Sequence, residues 1–140
     1  MKLAKPLKAN AKMIKVISML KRRADISHEQ FSDYWYNVHA PLGNRIAPPE
    51  ALSARYVQNH ALKMKGGGDA PYDAVAELYF EDRAAMLRWI EWYNSDAGKE
   101  LRDDELNFMD ISKRVIIVTD ERVMRDNLAE RIAALEAKKQ

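Results

Sequence analysis

Six patterned segments follow one another along the chain in the order strand, helix, strand, strand, helix, strand, and few folds accept that order. Met13–Leu20 is rich in β-branched residues and runs into the charged turn Lys21-Arg22-Arg23-Ala24-Asp25, which predicts a first strand. Ser27-His28-Glu29-Gln30 has the form of a capping box, in which the serine hydroxyl accepts from an amide one turn on and the glutamine reaches back. The helix it opens carries Phe31, Trp35, Val38 and Leu42 at spacings of four, three and four, the stripe of one helical face. Pro41 and Gly43 predict its end near His39. Residues 52–62 read as a second strand with Tyr56, Gln58 and His60 on one face and Arg55, Val57 and Asn59 on the other. The glycine-rich stretch Lys65–Pro71 reads as a hairpin connection. In a third strand over residues 72–80, Ala74, Ala76, Leu78 and Phe80 alternate with Val75, Glu77 and Tyr79. Asp82 is placed to cap a second helix bearing Ala85, Leu87, Trp89, Ile90 and Tyr93, and Ser95 a shorter one reaching Leu106. The β-branched run over residues 111–119 predicts a fourth strand, central and covered on both faces.

This order predicts the split βαβ pattern: an α+β, ferredoxin-like βαββαβ protomer with helices on one face of an antiparallel sheet. Three regions are expected: a basic N-terminal arm over residues 1–12, the domain over residues 13–119, and a C-terminal helical extension over residues 120–140 with Val123, Leu128, Ile132 and Leu135 as its stripe. The second face of the sheet carries Val57 and Val75. An apolar sheet face in water predicts association with a second copy, a homodimer.

Charge and composition narrow the partners. Basic and acidic residues number 23 and 21, a formal net charge of +2, which gives no electrostatic case for nucleic acid. With no cysteine, thiolate metal sites, disulfides and thiol nucleophiles are excluded. His28, His39 and His60 lack a zinc-binding spacing, so no metal and no cofactor is expected. No apolar run is long enough to span a bilayer, and the first residues lack the apolar core of a secretory signal. The cytoplasm is the expected compartment, and a membrane is not an expected partner.

The stretch Met13–Arg23, the pattern Ser27-x-Glu29-Gln30-Phe31-x-x-Tyr34-Trp35, and then Val38-His39-Ala40-Pro41-Leu42 resemble the EthD family of dimeric α+β barrels. Tyr56-Val57-Gln58-Asn59-His60 and Asp73–Phe80 fit the same pattern. The resemblance runs from about Met13 to about Thr119 and leaves the basic arm and the tail outside it. It implies a ferredoxin-like protomer, a face-to-face dimer, and a pocket between sheet and helices that works without metal or flavin. Relatives of this fold include dehydratases, isomerases, cyclases and cofactor-free monooxygenases, so it implies fold more narrowly than chemistry.

His39 is the first catalytic candidate, because an imidazole at the expected helix end suits proton transfer near neutrality. Tyr56 matches a strand-two tyrosine that accompanies the histidine in isomerase-like relatives, which implies an oxyanion partner. His60, on the same strand face, is a third catalytic candidate. Trp35, Gln58, Tyr79 and Trp89 are the candidate substrate-binding side chains, and Asp25 and Glu77 weaker ones; His28, at the helix start, is expected in solvent. Ordinary packing accounts for the aromatic residues as well. The expected activity is a cofactor-independent lyase, by dehydration or retro-aldol-type cleavage, or an isomerase, acting on an aromatic or lactone-bearing molecule. A cofactor-free monooxygenase and a non-catalytic carrier of a hydrophobic ligand are the alternatives.

Overall fold

The structure, a computed structural model, describes residues 13–140; the basic arm predicted over residues 1–12 lies outside the described residues. Four strands, β1 (Ile14–Leu20), β2 (Arg55–His60), β3 (Ala74–Phe80) and β4 (Val115–Asp120), form one antiparallel sheet in the order β2-β3-β1-β4. Helices α1 (His28–Tyr34), α2 (Ala40–Ile46), α3 (Arg83–Asn94) and α4 (Lys99–Glu105) accompany the sheet, and α5 (Leu128–Ala137) follows it. This is the ferredoxin-like α+β arrangement that the segment order predicts.

Strand pairing decides what faces the helices. Tyr56, Leu78, Val16 and Val118 form one cross-strand row, and Gln58, Ala76, Ser18 and Ile116 the next. Side chains alternate along each strand, so both rows point to the same face. Between that face and the helices, Phe31, Trp35 and Phe108 are sealed with Leu20, Ala74, Ala76 and Met109, while Phe80 is sealed with Val16, Ala85 and Met86. The other face presents Ile17, Met19, Val57, Val75, Val115 and Ile117, with the Lys15–Glu77 ion pair of 2.7 Å among them.

Several sequence expectations need correction. The first helix does not end near His39. A π-helical turn, Trp35–His39, follows α1, and α2 continues directly with Pro41 in its first turn. Proline is tolerated there because the first amides of a helix have no intrahelical acceptor. The wide turn, closed by the Ala40 amide on the Trp35 carbonyl, lets the chain stay helical through the proline. Residues 111–113 form a 3-10 turn, and β4 is an edge strand with Ile116 and Val118 about half exposed, at 53 % and 54 %. Its β-branched content reflects the cavity wall and an open face rather than a central place in the sheet. His28 is not adrift in solvent: its ring joins Asp73 Oδ1 and the Ala61 carbonyl, each at 2.9 Å, and so ties α1 to both strands of the β2–β3 hairpin. The capping box is present in both halves, Gln30 amide to Ser27 hydroxyl at 3.0 Å and Ser27 amide to Gln30 side chain at 2.8 Å. Asp82 caps α3 through the Ala85 amide at 2.8 Å. Every residue from 120 to 140 is exposed, and Leu128, Ile132 and Leu135 of α5 make an exposed apolar stripe.

Candidate functional site

A cavity of about 460 Å³ lies between the helices and the inner face of the sheet, within the size range of small-molecule sites. Val16, Ser18, Tyr56, Ala76, Leu78, Ile116 and Val118 form its sheet side. Trp35, His39, Trp89, Tyr93, Leu101 and Glu105 face them from the helical layer. Most of the wall is apolar, and His39, Tyr56, Glu105 and Arg114 are among its polar side chains.

His39 comes into the wall from the end of the π-helical turn. Its ring packs on Phe108 with centroids 4.8 Å apart, and Nδ1 lies 2.8 Å from Asp104 Oδ2. A carboxylate can only accept, so Nδ1 carries a hydrogen. Nε2 has no protein partner among the described residues and is not sealed from solvent. A neutral ring therefore presents a lone pair at Nε2. Asp104 is itself held by the Tyr34 hydroxyl at 2.5 Å and the Asn107 amide at 3.1 Å. Burial works to raise its carboxyl, but the bonds from Tyr34, His39 and Asn107 outweigh burial and hold it below the usual carboxylate range. The expected electrostatic neighbour of His39 is a helix terminus; in the structure a fixed carboxylate takes that place.

Tyr56 enters from β2. Burial pushes its phenol up to about 12, so it is a neutral donor at ordinary pH. Its oxygen accepts from Gln58 Nε2 at 2.9 Å. With that oxygen engaged as an acceptor, its own hydrogen has no acceptor among the described residues and is left to a molecule in the cavity.

The remaining candidates separate. Trp35 and Trp89 line the cavity, but His60 and Gln58 do not. Gln58 stands behind Tyr56, and the His60 Nε2 hydrogen is donated to Gln58 Oε1 at 2.9 Å, which fixes the amide so that its nitrogen faces the phenol. Burial and the nearby His28 lower the His60 pKa, which favours the neutral ring. Tyr79 lies on the opposite face of the sheet with Lys15 and Arg55 over its ring, and Glu77 is there too, bonded to Lys15 and Asn59. Asp25 pairs with Arg23 at the surface at 2.7 Å. Asp104 and its companions Tyr34 and Asn107 were not singled out from the sequence. The acidic run Asp103-Asp104-Glu105 on a short helix was the available signal, since a histidine base needs an acceptor to orient it.

A four-stranded β2-β3-β1-β4 sheet with its cavity between sheet and helices defines a ferredoxin-like α+β protein. More narrowly, the EthD domain model matches residues 23–112, well over half of the chain, and this chain belongs to the EthD family. It is similar to an EthD-like protein from Ralstonia eutropha, with 22% identity, 83% of this chain and 97% of that chain covered, and a TM-score of 0.59. It is similar to a hydroxynitrile lyase from Passiflora edulis, with 14% identity, 83% and 99% covered, and a TM-score of 0.57. A third likeness is to a dimeric ferredoxin-like protein of unknown function from Bacteroides fragilis, with 12% identity, 78% and 96% covered, and a TM-score of 0.51. These likenesses show the fold. No curated protein matches the sequence. Among the described residues no helix is long and apolar enough to cross a membrane.

Proposed function

We propose that the cavity is the active site of a cofactor-independent lyase that moves a proton on a small aromatic or otherwise apolar molecule. One observation carries this reading: His39 stands in the cavity wall with Nδ1 bound to an anionic Asp104, so Nε2 is the atom offered to a ligand. A base oriented in this way and a neutral phenol donor in the same chamber suit the cleavage of a carbon–carbon bond beside a hydroxyl. In that step Nε2 takes the hydroxyl proton. The O–H electron pair becomes the second bond of a carbonyl, and the carbon–carbon bond breaks with its pair going to the departing fragment. Tyr56 donates to the atom on which that pair settles, and Asp104 stabilises the imidazolium formed. Loss of water from a neighbouring carbon, and isomerisation through an enolate, make the same demand on both groups. The Passiflora protein of the same fold is a hydroxynitrile lyase, which supports cleavage as the first reaction class to try.

The functional unit we propose is a homodimer. Ile17, Val57 and Ile117 share a cross-strand row with Glu77 on the sheet face opposite the cavity. Burying such a face in a second copy removes a large apolar patch from water.

Turnover of hydroxylated aromatic substrates by chelator-treated protein tests the reading. His39→Ala is expected to lose at least about a hundredfold in rate, the usual worth of a positioned acid–base group, and Tyr56→Phe a comparable amount. Full activity in both variants would overturn the mechanism. The apolar lining favours one second reading, a carrier of a hydrophobic ligand. It is distinguished by tight binding of a compound that is recovered unchanged.

A further inference from the structure

The cavity wall holds a second polar cluster that the proton transfer does not use. Tyr93 near the end of α3, Glu105 at the end of α4 and Arg114 just before β4 all line it. Glu105 is only 4 % exposed and the Arg114 side chain 18 %. Arg114 Nη1 donates to Glu105 Oε2, and the Tyr93 hydroxyl donates to Glu105 Oε1. Nη1 and Nη2 also reach the Tyr93 oxygen at 3.3 and 3.4 Å. These bonds engage Nη1 twice and Nη2 once, so one Nη2 hydrogen remains beside the Nε hydrogen. The Nε hydrogen has no partner among the described residues, and Nε is not sealed from solvent.

We propose that Arg114 is a subsite for a carboxylate, or a similar planar oxyanion, carried by the molecule that fills the cavity. A guanidinium presents paired N–H groups that match the two oxygens of a carboxylate. Here Glu105 braces the Nη1 side, and the Nε side of this cavity-lining residue is left without a partner among the described residues. Burial and Glu105 push the Tyr93 phenol up to about 12, so it contributes no charge. An anion on the open side lies nearer to the guanidinium than to the Glu105 carboxylate, and Coulomb interactions fall with distance, so attraction outweighs repulsion from that carboxylate. Glu105 thus fixes the fork in place and opposes the ligand's charge at the same time. This inference rests on reading the cavity as the substrate chamber, but it does not depend on what His39 does. The molecule it describes is aromatic, with a carboxylate at Arg114 and a hydroxyl within reach of His39.

The test uses benzoate and its neutral counterpart benzamide as probes, with affinities measured by calorimetry or NMR titration at low ionic strength. The full chain is expected to prefer benzoate by about tenfold, and Glu105→Gln to raise benzoate affinity severalfold by removing the opposing charge. Arg114→Gln would leave Glu105 buried without its partner, so the doubly substituted Arg114→Gln/Glu105→Gln protein is the variant of choice, and it is expected to bind both probes equally. A merely structural cluster predicts no probe preference that follows these changes. Equal binding of the two probes by the unmodified protein, weaker benzoate binding by Glu105→Gln, or a benzoate preference that survives in the double variant each overturns the proposal. His39→Ala should keep the preference for benzoate. If it does, and also turns over substrate at full rate, the catalytic reading fails while the subsite stands.

Discussion

Replacing Asp104 by asparagine keeps its shape and removes its charge, and the structure says what must follow. Asp104 accepts from His39 Nδ1 at 2.8 Å, from Tyr34 at 2.5 Å and from Asn107 at 3.1 Å. An asparagine offers one acceptor oxygen in place of two, and its amide presents hydrogens where a hydrogen already sits. If the oxygen stays with Tyr34, the amide faces His39, and the ring satisfies it only by giving up the Nδ1 hydrogen and taking one at Nε2. The base facing the cavity is then lost. Hydrogen bonds to a charged group are worth about 1.5–3 kcal/mol each, and here they become neutral ones of roughly half that worth. The expected cost is about 2 kcal/mol, a fall of roughly 5–10 °C in melting midpoint for a domain of this size. The direct assay is long-range proton–nitrogen NMR of the imidazoles at about pH 8.5, well above the ordinary histidine range. With only 3 histidines in the chain, each ring can be assigned. The unmodified protein is expected to show the Nδ1-protonated tautomer at His39 and Asp104→Asn the Nε2-protonated one. An unchanged tautomer together with an unchanged melting midpoint would refute the argument.

Three more outcomes follow from packing and charge. Phe108→Ala removes a ring that is 0 % exposed and touches Phe31, Tyr34 and His39; it should cost about 3–5 kcal/mol in chemical denaturation and loosen the His39 ring. Burial alone would raise the Asp73 carboxyl, but the Arg22 amide, His28, Lys21 and Arg22 hold it below the usual range. The unfolded chain therefore binds more protons in that window, so Asp73 contributes its full stability above the ordinary carboxylate pKa and loses it as pH falls through the depressed one. Asp73→Asn should flatten the acid limb of a stability-against-pH curve, and an acid limb as steep as before would contradict this. Ile117→Asp places a charge in the sheet face opposite the cavity and is expected to halve the mass measured by light scattering; an unchanged mass would remove the face-to-face dimer.

Much of the fold was legible because local and global signals agree. The capping box at Ser27, the cap at Asp82, the glycine-rich hairpin and the period-two alternation in β2 and β3 each carry a short-range physical cause. The failures share another cause. Pro41 reads as a helix stop because local rules do not reveal that a π-helical turn can precede it. The run over residues 111–119 reads as a central strand because β-branched content does not report which neighbours a strand acquires. His39 and Tyr56 were visible as residue types in a resembling pattern. Asp104 was not, because its partner lies 65 positions away, and only folding brings such pairs together. The pairing of Gln58 with His60 was hidden for a different reason. Their shared face was read correctly, but Trp35 fills the space in front of them, and strand alternation cannot show which of two same-face side chains reaches the cavity.

Asp104 and Glu105 are consecutive residues, and each grips a different basic side chain of the same chamber. A helix turns about 100° per residue, so one short rod sends neighbouring acids in separate directions and sets the gap between imidazole and guanidinium. A rod does not stretch as a loop does. The length of molecule admitted is consequently gauged by α4, and slipping that helix by a single position would misalign both ends of the gauge at once.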